Sequence, residues 1–253
     1  MGKQLLINEL FDKNIFSIIA GPCAIENEDY LYQTAEFLSK KNIRYIRGGA
    51  FKLRTSPNTF QGLGELGVKL LHQAANDFNL ISISEITSIQ EIELMNEYID
   101  VLLVGTRNMY NYPLLKALSF IKKPVILKRG MSATVKEWLS AAEYISADNN
   151  SIILCERGIR TFETCTRNTL DLASAVWVQQ NTNYSVFIDP SHATGDAKLI
   201  IPMALASLAS GCSGLMIEIH PRPEKALSDK EQMLDFDEFS QLLDKISQLK
   251  ESI

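Results

Sequence analysis

The sequence predicts an α/β fold, a single-domain (β/α)8 TIM barrel in which eight parallel strands close on themselves. Short apolar runs alternate with longer amphipathic segments, about eight such pairs occur, and the apolar runs show no polar alternation. Strands buried on both faces read this way, and strand–helix alternation implies a parallel sheet. The strand runs lie at 15–20, 45–48, 80–84, 101–104, 125–127, 152–154, 186–188 and 215–219. Helical patterns between them include 30–41, 64–78, 89–98, 135–147, 170–180 and 199–210. A doubly wound sheet would place a glycine-rich phosphate loop after its first strand. Here GPCAIE follows instead, with Pro22 and Cys23 where glycines would be needed. Residues 1–14 are expected to be an extension, a short strand or hairpin plugging the barrel bottom. Residues 15–253 form the expected catalytic barrel, closed by a helix over 236–251.

The bulk numbers fit that reading. The chain has 253 residues, 46% hydrophobic and 22% charged, which suits one α/β barrel with a full core. Net charge is -5 and the basic residues form no runs, so no nucleic-acid or membrane footprint is expected. The four cysteines lack CxxC spacing, which favours a reducing compartment. No N-terminal apolar region and no stretch of about 18–20 apolar residues is present, so a cytoplasmic location is expected.

Barrels of this kind carry their chemistry at the C-terminal strand ends. There this chain places Cys23, then Arg47 with Lys52 and Arg54-Thr55, Glu85, Arg107, Lys128, Glu156-Arg157, Asp189 to His192, and Glu218. Nearly every strand ends in charge, which is costly unless a ligand or a partner compensates it. Arg47, Lys52, Arg54, Arg107, Lys128 and Arg157 form an expected basic ring for a ligand with more than one phosphate or carboxylate. Ion pairs of Arg47, Arg107 or Arg157 with Glu85 or Glu156 are the plainer alternative. Cys23, His192, Glu218 and Asp229 form a thiolate, imidazole and carboxylate set suited to a divalent transition ion of the Mn, Fe, Co or Zn type. Asp235 and Asp237 compete for the role of Asp229.

The motifs GPC, RGGAFKLRTSP, GTRN, LKRG, ILCERGIRTFE, DPSHATG and IEIHPRPEKALSD span most of the chain. Together they resemble 3-deoxy-D-arabino-heptulosonate 7-phosphate (DAHP) synthase, in the barrel-only form related to 3-deoxy-D-manno-octulosonate 8-phosphate synthase. The resemblance implies condensation of phosphoenolpyruvate with erythrose 4-phosphate and water, releasing phosphate, as the first step of the shikimate pathway towards aromatic amino acids. It implies metal ligation by Cys23, His192, Glu218 and Asp229. Arg107, Lys128 and Arg157 would hold phosphoenolpyruvate, with Arg47, Lys52 and Glu85 near the reacting centre, and Arg54 and Thr55 would grip the aldehyde's phosphate. The run Arg54-Thr55-Ser56 separates this subfamily from the octulosonate enzymes. Where the family commonly has Pro, this chain has Leu53, so a looser loop is expected. With some 14 residues before the first strand, no built-in feedback inhibition by Phe, Tyr or Trp is expected. A homo-oligomer, dimer or tetramer, and a contact with a separate chorismate mutase complete the expectations. The alternatives are an octulosonate synthase using arabinose 5-phosphate and a non-catalytic, phosphometabolite-binding barrel that regulates a partner.

Overall fold

The computed structural model describes residues 2–53, 56, 58–149 and 151–252. Eight parallel strands close in sequence order: β1 (Ser17–Gly21), β2 (Tyr45–Arg47), β3 (Ile81–Ile86), β4 (Val101–Val104), β5 (Val125–Lys128), β6 (Ile152–Glu156), β7 (Ser185–Ile188) and β8 (Gly214–Glu218). Strand β8 pairs back onto β1, with Glu218 level with Gly21. The main outer helices are α2 (Glu28–Lys40), α3 (Glu65–Asp77), α4 (Ile92–Tyr98), α5 (Tyr112–Ser119), α6 (Val135–Ser146), α7 (Leu172–Asn181), α9 (Ala197–Ala209) and α10 (Phe236–Lys250). A short helix, α8 (Pro190–Thr194), follows β7. Capping boxes at Thr134/Glu137 and Asp235/Glu238 satisfy free amides and set the starts of α6 and α10.

The N-terminal segment departs from expectation. It is a helix, α1 (Lys3–Glu9), where a strand or hairpin was predicted. Leu6 and Leu10, four residues apart, lie on one helical face and join the apolar cluster inside the barrel. The Tyr45 hydroxyl donates to the Leu6 carbonyl at 2.7 Å, and Lys3 pairs with Asp100 at 3.0 Å. The segment packs on the barrel interior with helical periodicity.

Two-residue periodicity along the strands positions the site. Ile19, Tyr45, Ile83, Leu103, Ile126, Cys155, Phe187 and Met216 pack together in the barrel interior. The residues between them, such as Ala20, Ile46, Leu102 and Ile217, pack outward in the cluster shared with the helices. Two positions beyond each interior residue the same parity delivers Gly21, Arg47, Glu85, Gly105, Lys128, Arg157, Asp189 and Glu218. Six of these eight are charged, and the other two must be small. A Cβ on Gly21 would lie 2.0 Å from the Arg47 carbonyl oxygen, and one on Gly105 would lie 2.0 Å from Glu85 Oε1. The glycines leave room for the charged side chains beside them.

Candidate active site and metal cage

Cys23, His192, Glu218 and Asp229 converge, each offering a ligand atom within 4.8 Å of the others. They arrive from four places: the end of β1, helix α8, the last residue of β8, and the segment after it. The Cys23 thiol donates to Asp229 Oδ2 at 2.9 Å, and His192 Nε2 lies 3.3 Å from Glu218 Oε1. Asp235 caps α10 and Asp237 lies in its first turn, so of the three competing aspartates Asp229 is the one that joins the cluster.

The electrostatics of this cage fit a cation. Burial pushes His192 below its ordinary value, so the imidazole is neutral near pH 7. Its Nδ1 hydrogen goes to Asp189 Oδ2 at 2.7 Å, which leaves the Nε2 lone pair facing a Glu218 carboxylate oxygen. Burial opposes ionisation of Glu218, but at the acidic pH where carboxyls titrate the protonated His192 and Arg47 outweigh it and hold its carboxyl below the usual range. Burial likewise opposes ionisation of Asp229. The Cys23 hydrogen bond, with His192, Arg167 and Lys52, outweighs it and drives that carboxyl down. Burial, reinforced by Glu218 and Asp229, pushes the Cys23 thiol up to about 12. An imidazole nitrogen, a thiol sulfur and two carboxylates held this close make a donor set that a divalent ion of intermediate softness suits.

Around the cage lies a second layer. Arg47 donates to Glu218 Oε1 at 2.9 Å, and Gln232 donates to Glu218 Oε2 at 2.6 Å. Lys128 pairs with Asp189 at 2.5 Å. Lys52 donates to Cys23 Sγ at 3.2 Å and stands 3.9 Å from Glu85. Burial would lower Lys52, but Cys23 and Glu85 reverse that and keep it protonated.

These contacts revise the basic ring. Arg47 and Lys128 are already matched by buried carboxylates, so they are not free cations awaiting an anion. Glu156 pairs with Arg129 at 2.9 Å, and not with Arg157; Arg129 also reaches Asp171 at 3.0 Å. Arg157, 4% exposed, donates only to the backbone carbonyls of Gly158 and His192 among the described residues. Arg107 has no carboxylate partner among them. A narrow cleft of about 60 Å³ opens beside the cage, lined by Lys52, Glu85, Arg107, Lys128, Arg157 and Arg167 among others. Arg54 and Thr55 lie outside the described residues.

Three functional candidates lie outside the set read from sequence. Asp189 was legible as an inward strand end, because it continues the parity of Phe187. Arg167 pairs with Asp229 at 3.2 Å and with Gln232 at 2.6 Å. Arg167 sits in an irregular segment and Gln232 in a single 3-10 turn, and neither is long enough for periodicity to mark them.

A donor cage and a cationic cleft at the C-terminal mouth of a (β/α)8 barrel define an enzyme of anionic substrates with a candidate metal centre. The comparisons with known proteins narrow that class. The profile of the DAHP synthetase I family matches residues 12–253. A curated Thermotoga maritima protein named phospho-2-dehydro-3-deoxyheptonate aldolase is 44% identical over 239 residues, covering 94% of this chain and 71% of its own length. A Magnetococcus marinus 2-dehydro-3-deoxyphosphooctonate aldolase is 26% identical, covering 92% and 87%. The crystal structure of the Thermotoga maritima DAHP synthase superposes with TM-score 0.91 at 45% identity, over 94% of this chain and 70% of that one. A truncated form of the Thermotoga maritima enzyme gives 0.88 at 41%, over 94% and 87%. This chain belongs to the DAHP synthetase I family.

Proposed function

We propose that the chain is a 3-deoxy-7-phosphoheptulonate synthase, a transferase joining phosphoenolpyruvate to D-erythrose 4-phosphate and water, with release of phosphate. The observation that carries this reading is the four-donor cage set directly beside a cleft lined by Lys52, Arg107, Lys128 and Arg157. A divalent ion held by Cys23, His192, Glu218 and Asp229 supplies Lewis acidity towards the aldehyde oxygen when bound.

Arg107 and Arg157 grip the phosphate and carboxylate of phosphoenolpyruvate, their guanidinium forks matching both groups. Lys128 adds a point charge while Asp189 fixes its position. Held in place, the two substrates need little further ordering, which lowers the barrier by several kcal/mol, up to about 7–11 in the best-oriented cases. Lys52 Nζ, kept protonated beside Cys23 and Glu85, gives a proton to the oxygen that turns from aldehyde to alcohol as C3 of phosphoenolpyruvate bonds to the aldehyde carbon. Glu85 orients the water that adds to C2, before the C–O bond to phosphate breaks. Arg47 holds Glu218, and Arg54 with Thr55 binds the phosphate of the four-carbon sugar.

Greater identity to the heptonate relative than to the octonate relative supports erythrose 4-phosphate over arabinose 5-phosphate. Turnover measured with both aldehydes tests this, and faster turnover of arabinose 5-phosphate would reverse the assignment. Among the described residues no helix is long and apolar enough to cross a membrane; a cytoplasmic location is part of the proposal. A homo-oligomer, dimer or tetramer, and contact with a separate chorismate mutase belong to the same reading. Phe120 and Trp177, 70% and 52% exposed on the outer helices, support a protein-binding surface.

A further inference from the structure

Glu26 stands three residues after Cys23, outside the cleft, with its side chain only 4% exposed. Its Oε1 accepts the Leu227 amide at 2.7 Å, two residues before Asp229. Its Oε2 faces His220 Nε2 at 3.7 Å, two residues after Glu218. His220 is 1% exposed, and its Nδ1 accepts the Arg222 amide at 3.0 Å. That bond places the imidazole hydrogen on Nε2, which lies near the Glu26 carboxylate but makes no hydrogen bond among the described residues. Tyr30 covers the imidazole edge-on, with ring centroids 4.9 Å apart. One buried carboxylate therefore bonds the segment that carries Asp229 and lies close to its start beyond β8.

Asp229 needs such support. Its backbone is left-handed, at φ 52° and ψ 33°, a conformation side-chain-bearing residues keep only where their surroundings impose it. Within the segment, the Gln232 amide donates to the Asp229 carbonyl at 3.1 Å. That turn shapes the chain locally but does not anchor it to β1. The Cys23–Asp229 hydrogen bond links the two through the ligands themselves, and Glu26 adds a link that does not run through a ligand, from the same strand exit.

We propose that Glu26 is a positioning residue of the metal cage. Its carboxylate ties the segment bearing Asp229 to the segment bearing Cys23 through the Leu227 amide. The inference rests on the reading that Cys23, His192, Glu218 and Asp229 hold a divalent ion. Outer partners of metal ligands act by fixing ligand orientation, so their loss weakens metal binding before it unfolds the protein.

The test is cobalt(II) titration of the metal-stripped full chain, followed by the thiolate-to-cobalt charge-transfer band, for wild type, Glu26→Ala and Glu26→Gln. Glu26→Ala is expected to weaken cobalt binding about 10- to 100-fold. Glu26→Gln, which keeps an acceptor for the Leu227 amide, is expected to recover most of that loss. Phosphoenolpyruvate binding to the metal-free protein should be unchanged in both, because its cations come from the ends of β4 to β6. Wild-type cobalt affinity in Glu26→Ala overturns the proposal, as does joint loss of cobalt and phosphoenolpyruvate binding. Absence of the band in wild type refutes the cage itself, so the two failures are distinguishable.

Discussion

Replacing Asp189 with Asn tests how the cage is held. Asp189 is fully buried, and its Oδ2 receives both the His192 Nδ1 hydrogen at 2.7 Å and Lys128 at 2.5 Å. Its Oδ1 accepts the His192 amide at 2.9 Å. Burial opposes ionisation of this carboxyl, but His192 and Lys128 outweigh it and hold it well below its ordinary value. An amide removes the charge that fixes the imidazole tautomer and leaves Lys128 buried without its counter-ion. Metal affinity should fall about 10- to 100-fold, or about 1.4–2.7 kcal/mol. Breaking the buried pair should cost about 3–5 kcal/mol of stability, lowering Tm by roughly 6–20 °C in a chain of this size. Competition for metal with a chromophoric chelator reads the first effect, and thermal unfolding of the metal-free protein reads the second. An Asp189→Asn protein that binds metal as tightly as wild type would refute the assigned geometry.

Three further outcomes follow from the same coordinates. Gly105→Ala puts a methyl where Glu85 Oε1 now sits, 2.0 Å from the built Cβ, so kcat should fall by about 100-fold; unchanged kcat would exclude Glu85 from the chemistry. Arg157→Ala loses charge-assisted hydrogen bonds worth about 1.5–3 kcal/mol, so KM for phosphoenolpyruvate should rise roughly 10- to 150-fold with a smaller change in kcat. Finally, the metal-free protein should show a stability plateau bounded on both sides. His192, lowered from 6.5 by burial, contributes stability that is present above that value and lost as pH falls below it. Glu218 and Asp189, whose positive neighbours outweigh burial, extend the loss at lower pH. Cys23, raised by burial from 9.0 to about 12, contributes stability that is lost as pH rises between those values. A Tm independent of pH across both windows would contradict these assignments.

The barrel was legible because doubly buried strands leave unbroken apolar runs, and each run ended where charge began. Cys23, His192, Glu218 and Asp229 were legible as a set by residue type and motif. Their convergence was not, because it depends on β8 closing against β1. The pairings inside the mouth were less readable still. Inward parity selects Arg47, Lys128, Asp189 and Glu218, but sequence alone does not say that Arg47 meets Glu218 and Lys128 meets Asp189 across the barrel. Arg129 was overlooked as the partner of Glu156 because it lies off the inward parity that marks Lys128. The N-terminal segment misled because Leu5, Leu6 and Ile7 are contiguous. Only the spacing of Leu6 and Leu10 betrays the helix.

The central claim is that a metal held at the barrel mouth and the neighbouring cations act on the same pair of substrates. Phosphate release on mixing phosphoenolpyruvate with erythrose 4-phosphate, before and after metal stripping, tests it most directly. Release should stop on stripping and return when manganese or cobalt is restored. Undiminished release from the stripped protein would contradict the claim.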